Sequence, residues 1–124
     1  MSWNITLMKQ KGYVQISYTG IVTSQDLAEG AQAVLQLGFE HNFTRCLTDC
    51  KQIEVPPDVR SMYENLIYFF DKVELDKSFR EAMVLPVNKK AAEYVLFYEV
   101  ACTNRGYTVK TFESEQDALA WLLS

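Results

Sequence analysis

Beyond residue 20, each strand-like run in this sequence is separated from the next by a stretch long enough for a helix. That rhythm constrains the fold more than any single motif. Two strands joined through a helix need a crossover, which makes them parallel and gives a right-handed connection. Only the first two runs differ. Residues 3–9 place Trp3, Ile5 and Leu7 on one face and Asn4 and Thr6 on the other, the period-two pattern of a half-buried strand. Gln10-Lys11-Gly12 reads as a tight turn, with Gly12 suited to positive φ. Tyr13–Tyr18 is the returning strand of an antiparallel hairpin, and Gly20 is expected to end it.

The first helix is expected to be capped by Thr23 or Ser24, with Asp26 in a first turn that favours a negative charge. Leu27, Ala31, Val34, Leu35 and Gly38 share one face, and Gly38 or Asn42 ends the helix. A central strand runs from about Thr44 to Thr48, and Asp49-Cys50-Lys51-Gln52 is read as the loop leaving it. Pro56-Pro57-Asp58 announces the second helix. Its stripe is Val59, Met62, Tyr63, Leu66, Ile67, Phe70 and Val73. Arg80–Leu85 is the next strand, closed by Pro86, and Asn88 caps a third helix that ends at Asn104 or Gly106. Tyr107–Phe112 alternates as the last strand, and Ser114-Glu115-Gln116-Asp117 resembles a capping box. The order is therefore ββαβαβαβα: an α/β chain with a mostly parallel sheet and one antiparallel first strand.

The bulk properties narrow the function classes. At 124 residues the chain has the size of one domain, and 1–124 is read as such. A net charge of -4 offers no general attraction to phosphate backbones or anionic membranes, so nucleic acid is not expected as a partner. No apolar run approaches the roughly 20 residues of a membrane span. The start, Met1-Ser2-Trp3-Asn4, has no basic region followed by an apolar one. Three cysteines are too few for a disulfide scaffold. Reduced thiols and a cytoplasmic location are the expectation.

Taken as a whole, the chain resembles the SpoIIAA-like family, the STAS fold of anti-sigma-factor antagonists. The resemblance rests on the initial hairpin, the strand reaching Asp49, the Asn104-Arg105-Gly106 turn, and above all on Phe112 to Leu122, Phe-Glu-Ser-Glu-Gln-Asp-Ala-Leu-Ala-Trp-Leu. It implies a STAS-like fold and a regulatory, protein-binding role. Some members are similar to CRAL-TRIO lipid-transfer domains, which implies an apolar ligand. One departure matters. The phosphorylated antagonists resemble a strand ending in Asp-Ser. Here Cys50 stands at that place and no glycine follows. A thiol is no ordinary kinase substrate, so the serine switch is not expected; Thr48, the nearest hydroxyl, falls within the strand.

Two groups of residues are candidate sites. Ligands of parallel sheets bind beyond the carboxyl ends of the strands. Asp49, Cys50, Lys51, Asn88 and Lys89 are expected there, beside three helix N-termini that favour an anion. Asp49 opposes an anion, and its plainer role is to accept backbone N–H bonds from its own loop. Cys46 and Cys50 lie about 13 Å apart along a strand, too far for a disulfide or a shared metal. His41 is the only histidine and sits in a polar stretch, so no zinc site is expected. No nucleophile–base pair, P-loop or dinucleotide glycine pattern is present. The chain is therefore not expected to be an enzyme, and no cofactor is expected.

The second group is aromatic. From Ala91 to Cys102, ten of twelve residues are apolar or aromatic. A helix apolar nearly all round is buried on more than one side. A neighbouring helix, a second subunit or an apolar ligand could supply the extra cover. The first expectation is a homodimer and a regulatory protein partner. The alternative is a lipid or other apolar small molecule in a pocket lined by Tyr63, Phe70, Tyr94, Phe97 and Tyr98.

Overall fold

The structure, a computed structural model, describes residues 2–124; Met1 lies outside the described residues. Strands β1 (Trp3–Met8) and β2 (Tyr13–Ile21) form the expected antiparallel hairpin, with Gly12 at φ +80° in the turn. Strands β3 (Arg45–Val55), β4 (Arg80–Val84) and β5 (Thr108–Phe112) add to it in parallel. The sheet order is β1-β2-β3-β4-β5. The ββαβαβαβα order and the antiparallel first strand at one edge agree with the reading of the sequence.

This sheet order decides where the helices go. The parallel strands advance in one direction, so right-handed crossovers must all lie on one face. Helix α1 (Ser24–His41), the helical run α2 and helix α3 (Lys89–Asn104) accordingly share one core with the sheet. Run α2 comprises Val59–Ser61, a π-helical stretch Met62–Ile67 and Tyr68–Val73. Only α4 (Glu115–Leu122) covers the opposite face, with Ala118 and Leu122 against Leu47, Ala82 and Val84.

Side chains at the helix starts satisfy the free N–H groups. Thr23 and Asp26 form a reciprocal capping box on α1. Asp58 caps α2 at Ser61, Asn88 caps α3 at Ala91, and Ser114 caps α4 at Asp117. Asn42, in left-handed conformation, ends α1.

The structure corrects two boundaries. β2 does not stop at Gly20; it passes through Gly20 at φ +70° to Ile21. Residues 49–52 are not a loop, because β3 continues to Val55, pairing Gln52 with Thr19 and Val55 with Ile21. The pairing slips near Thr19 and Gly20, where glycine accepts a backbone other residues resist. Lys51, Gln52 and Glu54 look loop-like because this part of β3 is largely exposed.

Candidate functional site

Between the sheet and the three helices on its larger face lies a cavity of about 70 Å³. Its floor is Ile16 and Tyr18 of β2, Cys46, Thr48 and Cys50 of β3, and Glu81 and Met83 of β4. Strand alternation puts these residues on one face, while Leu47, Ala82 and Val84 point to the other. Its roof includes Val34 of α1, Leu66 and Phe70 of α2, and Tyr94, Tyr98 and Cys102 of α3. The walls are mainly apolar, so the few polar groups stand out.

Glu81 is the centre of those polar groups. Thr48 Oγ1 donates to its Oε2, and Tyr98 Oη donates to its Oε1 at 2.8 Å. Thr48 is buried and also lies 3.5 Å from Cys46 Sγ. Burial raises the Glu81 pKa above its ordinary 4.5, and the bonds from Thr48 and Tyr98 pull it part of the way back. Among the described residues no lysine, arginine or histidine forms an ion pair with Glu81. Tyr94 supplies a second polar anomaly. It is 6% exposed, and its hydroxyl has no hydrogen-bond partner among the described residues. Burial pushes its pKa, and that of Tyr98, well up, so both stay neutral phenols.

The three cysteines are free, buried and share this cavity. Burial, with the Glu81 charge second, pushes all three thiols up, Cys102 to about 12. A thiol held protonated in this way is a poor nucleophile and a poor metal ligand. Among the described residues no group of three or more His, Cys, Asp or Glu side chains is arranged for a metal.

The carboxyl ends of the strands look different. Asp49 and Cys50 alternate along β3, so Cys50 faces the cavity and Asp49 the opposite side. Asp49 Oδ1 accepts the Lys51 N–H at 3.1 Å, and Lys51 Nζ sits 3.8 Å from Oδ2. Lys51 and Asn88 do meet, in a shallow open depression with Thr19, Gly20 and Val87. Asn88 Oδ1 is occupied by its cap, and Lys89 is exposed on the first turn of α3. Each helix N-terminus at this end is closed by its own cap, two of them with a carboxylate, Asp26 and Asp58. The positive ends that favoured an anion are thus already satisfied.

Phe70, Tyr94 and Tyr98 line the cavity, but Tyr63 and Phe97 do not; they are 44% and 54% exposed. For Tyr63 the cause is the π-helical stretch, whose i→i+5 bonding shifts the phase of the stripe. Met62, Leu66 and Ile67 are buried there, and Tyr63 turns outward toward Arg105. For Phe97 the cause is a second stripe. Leu96, Phe97 and Val100 lie on the outside of α3, opposite buried Ala91, Tyr94, Val95, Tyr98 and Ala101. The helix is apolar nearly all round, yet only one side of it is buried.

Sequence reading missed Glu81. Its signal was a carboxylate in an interior strand, on the face of Met83 rather than that of Ala82 and Val84. Interior parallel strands are apolar on both faces unless a polar group has a task.

Solved structures with this arrangement exist. An uncharacterized protein from the DUF3478 family, from Shewanella loihica PV-4, is described as having a SpoIIAA-like fold. It matches with a TM-score of 0.60 and 20% identity over 97% of this chain and 91% of that one. The anti-sigma factor antagonist SpoIIAA in its unphosphorylated form matches with a TM-score of 0.56 and 12% identity over 96% of both chains. This chain has a SpoIIAA-like fold. No sequence-family model matches it, and no curated protein does. In this SpoIIAA-like chain, Cys50, at the place where the resemblance puts the acceptor serine, is buried in the cavity wall. Thr48 is buried as well. No helix among the described residues is long and apolar enough to cross a membrane.

Proposed function

We propose that this protein is a non-catalytic binding module of SpoIIAA-like type that holds a compact, mostly apolar molecule in the cavity between the sheet and α1, α2 and α3. The observation that carries this reading is a cavity lined in part by Tyr94, whose buried hydroxyl has no hydrogen-bond partner among the described residues. A buried hydroxyl without a partner is destabilising, and a ligand that bonds to it removes that cost. The void is far smaller than the roughly 300–1,000 Å³ of ordinary ligand clefts. The favoured occupant is therefore a small molecule rather than an intact phospholipid. One structural neighbour is named an anti-sigma factor antagonist, and by that likeness the role is regulatory. Phosphorylation at Cys50 or Thr48 is not part of it. A panel of small aromatic and aliphatic compounds, read by thermal unfolding and by amide shifts in NMR, tests the reading. Binding to the native state raises the melting temperature as ligand concentration rises. No rise for any compound, with no shifts around Tyr94, overturns it.

A second reading rests on Leu96, Phe97 and Val100, an exposed apolar stripe on α3. Its proposed occupant is a second copy of this chain, because symmetric homodimers pair a patch with itself. Light scattering on the wild type and Phe97→Glu tests it. A wild-type dimer that becomes a folded monomer in the variant supports the reading; a monomeric wild type refutes it.

A further inference from the structure

We propose that the cavity is selective for a compact hydrophobic amine, whose ammonium group is received by Glu81. The inference rests on the cavity-binding reading and adds the chemical class of the ligand. Three observations carry it.

The first is an unmatched charge. The Glu81 carboxyl lines the cavity and accepts one hydrogen bond on each oxygen, from Thr48 and from Tyr98. A carboxylate has about four acceptor sites, so two bonds leave capacity for a donor arriving from the cavity. Both protein donors are neutral hydroxyls, and no cationic side chain among the described residues is paired with the group. Burial raises its pKa, as expected for a negative charge that lacks a counter-charge. An ammonium ion would supply that charge inside the fold.

The second observation concerns the wall. Phe70, Tyr98 and Tyr107 line the cavity and pack against one another, with ring centroids 6.1 Å and 6.5 Å from Phe70. Aromatic faces attract cations as well as apolar surface, so the wall suits both ends of such a molecule. The third is the unpartnered Tyr94 hydroxyl, which can accept from a donor on the ligand. A carboxylate ligand does not fit, because it would meet Glu81 with like charge. A plain hydrocarbon would fill the void and leave both polar groups as they are.

Propylamine, propanol and butane have nearly the same shape, are small enough for the void and differ in their polar end, so they separate the two layers of the argument. Binding to the full chain at neutral pH is followed by amide shifts and by melting temperature. The expected result is that propylamine binds roughly ten- to a hundredfold tighter than the other two, the worth of a charge-assisted hydrogen bond. Glu81→Gln keeps the shape and one acceptor, and should remove that preference. Tyr98→Phe is the second variant, should Glu81→Gln unfold. It takes one hydrogen bond from the carboxyl and should leave propylamine ahead. Equal binding of all three compounds to the wild type overturns the amine assignment and leaves the cavity reading standing. Binding of none overturns both.

Discussion

The two faces of the sheet are built to different standards. On the face under α4, Leu47, Ala82, Val84, Ala118 and Leu122 are completely buried, and all are apolar. Between the other face and α1, α2 and α3 lie a void, three thiols, a carboxyl and several phenols, contributed by strands and helices together. Topology explains part of the contrast. Three crossovers on one side leave a single eight-residue helix for the other. A face that small must pack without gaps to be worth keeping, and Arg80 helps by donating to the Trp121 carbonyl at 3.2 Å while lying over the Trp121 ring. The larger face has contact area to spare and can tolerate imperfection. The polar groups of the imperfect region are the ones the binding proposal rests on; the apolar groups of the other hold the fold together.

Truncations of equal size give the largest test. Leu122→Ala opens a hole in the tight face and should cost about 4–5 kcal/mol, the upper part of the leucine-to-alanine range. Leu66→Ala widens an existing void, where the side chain has fewer neighbours to lose, and should cost about 2–3 kcal/mol. Urea unfolding midpoints measure both. Equal losses would mean that the two faces are packed alike. Next in size is Gly30→Ala, on the cavity face. Its new methyl group would lie 2.2 Å from Tyr18 Oη and 2.8 Å from Ile16 Cδ1. Overpacking of this kind costs about 1–3 kcal/mol, and outweighs the gain of up to ~1 kcal/mol from a better helix former. A neutral result would show that the void lets Tyr18 swing aside.

The two faces also differ in how legible they were. On the α4 side, the strands Arg80–Leu85 and Tyr107–Phe112 and the Ala118-Leu119-Ala120-Trp121-Leu122 helix were readable as elements, though not which face the helix covers. The caps at Thr23, Asn88 and Ser114 were readable because short polar side chains before apolar runs have one dominant use. The cavity was only partly readable. Phe70, Tyr94 and Tyr98 follow from helical spacing, but Phe97 and Tyr63 do not. Spacing cannot choose the inner side of a helix with two apolar stripes, or foresee a π-helical change of phase. Glu81 was overlooked because Arg80-Glu81 reads as the polar start of a strand. It becomes unusual only when Cys46 is seen beside it in the sheet. Register is a long-range property, and one sequence does not display it.

Charge sharpens the contrast further. Among the described residues the α4 face buries no titratable side chain except the phenol of Tyr13, whereas Glu81 ties the stability of the cavity face to pH. The unfolded chain gives up the Glu81 proton near the ordinary 4.5, and the folded protein holds it to higher pH because ionisation in the cavity is resisted. Its stabilising contribution is complete below that pH and is lost as pH rises through the folded value. Asp26, Asp58 and Asp76 have lowered pKa values, so their contributions run the other way and are lost on acidification. Those three are common to the wild type and Glu81→Gln and cancel in a difference. The stability of the wild type minus that of Glu81→Gln should therefore decline as pH is raised from about 4.5. A flat difference would show that the carboxyl is already compensated. Leu122→Ala, compared in the same way, should show no such slope.

The smallest effect has the opposite sign from the truncations. Tyr94→Phe removes a hydroxyl that is buried and unpartnered, and leaves the ring in place. A group that makes no bond has nothing to lose, so the variant should be as stable as the wild type or more stable by up to about 1 kcal/mol. A chain selected only for stability would carry phenylalanine here. Calorimetry of the pair decides the matter. A clear loss of stability in the variant would mean that the hydroxyl is bonded after all, through water inside the cavity, and that the two faces differ in wetness rather than in purpose. A neutral or stabilising change, together with weaker propylamine binding, would mean that Tyr94 is kept for what enters the cavity.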